Sequence, residues 1–349
     1  MTRFLRLAAF ASVGLAGVLL PLSGGATTSI LHAPNNLIVI GSDVWVADMS
    51  TSSTPKARLV ELSSATGAVI HVVQGAKYDF TAGMPSDVYE ALGSSGHDLW
   101  VSDLKGGNAS SDAVTEVNAS TGALVRVLRG VKYGFSVPSA FAVAGRDLWI
   151  ANAGPTGYAE KGSLTEVNAS TGALVRVVTG ARFDFLGPQA LAVVGDDLWV
   201  AGGGRLTEIN AVTGALIRVS AAQTGLVPPG GLVALKGHLW IAGSLNSILT
   251  EINASTGAVM RVVRGSPTTF GLPSSATVVG TDLWISSPSP ALAEINSTTG
   301  SVVRVVTGAS YGLQFPRALF ASGSRLWVVS NSSVSEINAS SGALVRVIG

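Results

Sequence analysis

The stretch PQALAVVGDDLWVAGGGRLTEINAVTGALIRV, residues 188–219, holds four short apolar runs, at 190–194, 198–201, 206–209 and 215–219. Turn residues separate them: Gly195-Asp196-Asp197, then Gly202-Gly203-Gly204, then Asn210 through Gly214. Runs of four or five residues rich in Val, Ile and Leu, punctuated by Gly, Asp and Asn, read as strands joined by hairpins.

Four marks of this unit recur along the chain. The second run carries Trp45, Trp100, Trp149, Trp199, Trp240, Trp284 and Trp327, which are all seven tryptophans. The third carries Glu61, Glu116, Glu166, Glu208, Glu251, Glu294 and Glu336. A Thr-Gly or Ser-Gly turn follows each of them, from Thr66-Gly67 to Ser341-Gly342. The fourth run carries His71, Arg126, Arg176, Arg218, Arg261, Arg304 and Arg346. Seven copies of four strands predict an all-β chain, a seven-bladed β-propeller of antiparallel four-stranded blades. The blades fall at about 34–83, 84–136, 137–186, 187–226, 227–271, 272–314 and 315–349. The near-continuous apolar runs fit a sheet buried on both faces, as a blade between two neighbours must be.

The first copy starts at Pro34 and the last ends at Gly349, so each blade is expected to form from consecutive residues. Closure then rests on packing of blade one against blade seven. The alternative is an outer strand at 27–31 added to blade seven.

Residues 1–26 differ from the rest. Arg3 and Arg6 precede an apolar run, 7–22, that ends in Ser23-Gly24-Gly25-Ala26. This is the pattern of a secretory signal peptide cleaved after Ala26, with an uncleaved anchor as the alternative. A short segment, 27–33, would link it to the ring. Secretion, or residence at the cell envelope, is the expected localisation. After cleavage no apolar run approaches the ~20 residues that span a bilayer, so no transmembrane domain is expected. The chain has no cysteine, which excludes disulfides and thiolate metal sites. Net charge is +1 and 12% of residues are charged, with no basic run, so nucleic acid is not an expected partner.

Turns between first and second strands, and between third and fourth, share one face and are short. The second-to-third-strand and inter-blade loops share the other face and vary. Those at 48–57, 103–113 and 152–163 are long, while 202–204 is minimal. The inter-blade loops repeat Tyr78-Asp79-Phe80, Tyr133-Gly134-Phe135 and Phe183-Asp184-Phe185, with Tyr311 and Phe315 as a fourth pair. Pro85, Pro138, Pro188 and Pro316 follow and are expected to start the next inner strand. Variable loops on a rigid scaffold are where function is usually built.

Two segments, Pro-x-Ala-Leu-Ala-Val-x-Gly-Asp-Asp-Leu-Trp-Val-Ala and Leu-Thr-Glu-Ile-Asn-Ala-x-Thr-Gly, carry a resemblance. The chain resembles bacterial propellers of the YVTN, NHL and virginiamycin B lyase-like kind from Pro34 to Gly349. The resemblance implies the architecture. Such propellers include enzymes and binding modules, so it does not imply a function.

The tryptophans sit mid-strand between aliphatic neighbours and read as filler between blades. The repeated Glu and Arg read as scaffold pairs across a hairpin. Asn108, Asn118, Asn168, Asn253, Asn296, Asn331 and Asn338 match the N-glycosylation pattern, but most lie in a turn that wants Asn for its backbone bonds. Asn210-Ala211-Val212 keeps the turn without the pattern. Of His32, His71, His97 and His238, the last two fall in first-to-second-strand turns of blades two and five, far from one another around a ring, so no three converge on a zinc ion.

The mouth of the central channel breaks the repeat. Asp48, Asp87, Asp103, Asn152, Gln189 and Arg317 are the candidate ligand-binding residues there, beside Asn35, Ser86, Ser139, Gly230 and Ser274. The reading is a monomeric, non-catalytic binding or interaction propeller, with a protein or cell-surface ligand on blades one to three. No organic cofactor is expected. The alternative is a lyase- or hydrolase-type enzyme using Asp48, Asp103 or Asp87 with a divalent cation, and a second alternative is a structural surface protein.

Overall fold

The computed structural model describes residues 30–49, 57–80, 91–105, 110–155, 161–220, 229–288 and 291–349. Seven four-stranded antiparallel sheets span 34–73, 92–129, 138–178, 188–220, 229–264, 275–307 and 318–348, numbered here as blades one to seven. Each sheet is built from four strands consecutive in sequence. The inner strands of neighbouring blades touch all the way round, including Pro34–Ile40 of blade one against Ala318–Ser322 of blade seven. The chain is a seven-bladed propeller. Helix among the described residues is limited to four single 3-10 turns, after the outer strands of blades one, two, three and six. No helix among them is long and apolar enough to cross a membrane.

The pleat explains why strands with no polar face are stable here. Successive side chains point to opposite faces. In Asp147–Asn152, Leu148 and Ile150 enter the core shared with blade two, whereas Trp149 and Ala151 enter the core shared with blade four. Each of the seven seams thus has its own apolar core, and each holds one tryptophan. All seven indoles are at most 1% exposed.

The register places tryptophan, glutamate and arginine in one row. Trp199 pairs with Glu208 and Glu208 with Arg218; the other blades repeat this, with His71 taking the arginine position beside Glu61 in blade one. The arginine Nε meets the glutamate, at 2.6 Å for Arg126 and Glu116 and 2.7 Å for Arg346 and Glu336. Its outer nitrogen then donates to a main-chain carbonyl in the next blade's turn: Arg126 to Ser170, Arg176 to Val212, Arg218 to Ser255 and Arg261 to Thr298. The Glu-Arg ladder is the fastening between blades.

A second fastening comes from the aromatic inter-blade loops. Tyr78, Tyr133 and Tyr311 donate their hydroxyls to the carbonyls of Gly122, Gly172 and Gly342 in the following turns. Three residues before the proline of the next blade, a large side chain plugs the seam: Phe135, Phe185, Phe270 and Leu313. The Tyr311 and Phe315 pairing expected from sequence is corrected here. Leu313 is the buried plug, and Phe315 is 58% exposed, with φ +53° just before Pro316.

Leu31 stands three residues before Pro34 and is the plug of the closing seam, packed among Val60, Leu62, Val334 and Ile348. The described part of segment 27–33 therefore closes the ring as a plug, and blade seven keeps four strands. Residues 1–26, Pro85, Ser86 and Asp87 lie outside the described residues.

Candidate functional site

Asp48, Asp103 and Asn152 occupy one equivalent position, the last residue of a second strand, at the face of the variable loops. All three are buried, at 0, 2 and 1% exposed.

Asp48 is saturated. One carboxylate oxygen accepts the N–H groups of His32 (2.9 Å) and Ala33 (2.8 Å), and the other accepts Arg58 Nε (2.8 Å). Arg58 also donates to the carbonyl of Ile30. This network pins the segment that carries Leu31. Asp103 lies 3.6 Å from Lys105 Nζ, which also pairs with Asp79; Arg129 meets Asp79 from the other side at 2.6 Å. Asn152 donates through Nδ2 to Ser163 Oγ (3.2 Å) and Thr165 Oγ1 (3.0 Å). Thr165 in turn donates to the carbonyl of Tyr133.

Of the remaining described mouth residues, Asn35 is buried and Ser139, Gln189, Gly230, Ser274 and Arg317 are partly exposed. Gln189 follows the opening proline of its strand, as Ser139 and Ser274 follow theirs. Ser139 and Ser274 donate to the carbonyls of Pro188 and Pro316 in the next blade, at 2.6 and 2.7 Å. At the same position Gly230 lies so close to Pro273 that an added Cβ would stand 2.1 Å from its carbonyl oxygen. Arg317 reaches Asn331 Oδ1 at 3.4 Å.

Three functional-looking residues were not visible as such in the sequence. Asp112, 0% exposed, accepts the N–H groups of Lys105 (2.9 Å) and Val137 (2.8 Å), tying a long loop to the next blade. Asp79 and Asp184 end single helical turns with φ +66° and +50°, a left-handed conformation that Asp tolerates better than most residues. Both are ion-paired, Asp184 to Arg205 at 3.2 Å. Their shared place in the Tyr-Asp-Phe and Phe-Asp-Phe loops was the available signal.

The opposite face carries its own carboxyl chemistry. Burial pushes Glu116, Glu166 and Glu208 up to about 7 despite the pull of Arg126, Arg176 and Arg218, and Asp98, Asp147 and Asp197 push the same way. Burial raises Glu61 and Glu294 as well. In blades five and seven the aspartate position holds His238 and Arg325 instead, an imidazole at 3.0 Å from Glu251 and a second guanidinium at 3.4 Å from Glu336. The turn asparagines are also accounted for: Asn168, Asn210, Asn253, Asn296 and Asn338 accept the N–H of the turn Thr or Ser. Asn210, outside the glycosylation pattern, makes the same bond. Among the described residues no three His, Cys, Asp or Glu side chains are grouped to hold a metal ion.

No protein-family model and no curated protein matches the chain. Among solved structures, the crystal structure of the computationally designed Ika8 protein matches with a TM-score of 0.64. The match covers 91% of this chain and 87% of that one at 14% identity. A likeness at that identity shows the fold alone.

Proposed function

We propose that this chain is an exported, non-catalytic binding or interaction propeller of the YVTN/NHL-like kind. It acts as a monomer at the cell envelope or outside the cell. Its ligand face is the sector where the second-to-third-strand loops of blades one to three are long. The observation that carries this reading is the state of Asp48 and Asp103: buried, with Arg58 and Lys105 beside them, they serve the fold. A general base or a cation ligand needs a lone pair facing substrate, and Asp48 spends its lone pairs on two main-chain N–H groups and a guanidinium, with the His32 imidazole 3.5 Å from the same oxygen as the guanidinium. What then distinguishes blades one to three from blade four is loop length.

The test is a thermal-shift screen against divalent cations, sugars and peptidoglycan fragments. It is run on the wild-type chain and on a variant whose blade-three loop, 153–162, is cut to the Gly-Gly-Gly length of blade four. A ligand of the native state raises the melting temperature. The reading expects a shift that the shortened loop abolishes. A shift that survives the shortening, or turnover of a bound compound that stops in Asp103→Asn, overturns it.

A further inference from the structure

We propose that the outer rim of blades one to three binds an anionic polysaccharide, an extended chain carrying carboxylate or phosphate groups, through Lys77, Lys132 and Arg182. The inference rests on the reading above and names the ligand class of the same sector.

The three cations hold one equivalent place, the middle of the helical turns Ala76–Tyr78, Val131–Tyr133 and Ala181–Phe183. Each is exposed, and each is stacked over the ring of the next residue, at 4.7, 4.8 and 4.7 Å from its centroid. Those rings are anchored, Tyr78 and Tyr133 by hydroxyl bonds to the next blade. A cation held over a fixed ring loses little further freedom on meeting an anion. In the corresponding turn of blade six, Ala309–Tyr311, the place belongs to Ser310, so the row is confined to one sector.

The acids of this sector do not cancel the row. Asp48, Asp79 and Asp103 are buried and face Arg58, Lys105 and Arg129, while Asp184 is paired with Arg205. Among the described residues of this sector the exposed, unpaired charge is therefore positive, although the whole chain carries only +1.

Geometry selects the ligand. Each cation belongs to a different seam, so a small anion meets one of them and an extended polyanion meets all three. Single-stranded nucleic acid needs aromatic faces on which bases stack. Here the rings lie beneath the cations, with Tyr78 and Tyr133 6% and Phe183 2% exposed.

The experiment is calorimetric titration of the full chain with polygalacturonate at about 20 mM salt, with dextran and oligo-dT as comparators. The expected result is binding of polygalacturonate alone, lost near 1 M salt, where the screening length falls to about 3 Å. The triple variant K77Q/K132Q/R182Q keeps the aliphatic stems over the rings and should bind at least about tenfold more weakly. Arg146→Gln with Lys236→Gln, on the opposite face, should leave binding unchanged. Its melting temperature, measured alongside, verifies that the triple variant is folded; were it not, Lys132→Glu alone carries the test. No binding at low salt, equal binding by the triple variant, or equal binding of oligo-dT overturns the proposal. If those fail while shortening the 153–162 loop still abolishes the shift from another ligand, the ligand class falls and the ligand face stands.

Discussion

Arg346, in the last strand of the chain, donates to the main-chain carbonyl of Ala65 at 2.9 Å across 281 positions of sequence. It is the same bond that Arg126, Arg176, Arg218 and Arg261 make to their next blades, so the closing seam uses the fastening of the internal ones. Among the described residues no strand is exchanged to lock the ring.

Two contacts add to the apolar core of the closing seam and can be tested singly. Leu31→Ala should lower stability by about 2–5 kcal/mol, the cost of emptying a packed leucine site, although Leu31 lies in no strand. Arg346→Gln should cost less, about 1.5 kcal/mol, because Arg325 still faces Glu336. Urea denaturation of both variants measures the difference. A silent Leu31→Ala would show that the seam closes without its plug.

The tryptophans can be tested by size against polarity. Five indole N–H groups, that of Trp149 among them, have no acceptor among the described residues. Trp149→Phe thus loses area without stranding a partner and should cost under about 2 kcal/mol, against about 3–5 for Trp149→Ala. Equal losses would mean that the indole nitrogen matters more than the packing.

Stability should depend on pH in a direction opposite to ordinary acid unfolding. Glu116, Glu166 and Glu208 rise from the ordinary 4.5 to about 7 in the folded chain. Between those values the folded chain holds protons that the unfolded chain has lost, so stability falls as pH rises through this window. The melting temperature should be higher at pH 5 than at pH 8. Asp197→Arg, which copies the Arg325 arrangement of blade seven, should flatten the dependence by removing a like charge from Glu208. A melting temperature that climbs from pH 5 to pH 8 would contradict this.

The repeated parts of the molecule were legible and the irregular parts were not, for a physical reason. Trp199, Glu208 and Arg218 are dictated by a register that recurs seven times, so each copy reports on the others. Leu31 fills a place that Phe135 and Phe185 fill elsewhere, and a lone leucine ahead of the first strand gives no such signal. Asp48 and Asp103 read as site residues because they broke the repeat. Their partners, Arg58 in a third strand and Lys105 in an irregular loop, break it too, and neither pairing follows from spacing. A departure from symmetry marks a site, a local structural bond or both, and spacing alone does not separate them.

The most direct measurement is the unfolding free energy of Asp48→Asn in urea, which requires no ligand. If Asp48 serves the fold, the variant strands Arg58 and loosens the N–H groups of His32 and Ala33, and stability should drop by about 3 kcal/mol. Residues kept for function are commonly neutral or stabilising when replaced. An Asp48→Asn chain as stable as wild type, or more so, would return Asp48 to the functional site and contradict the account.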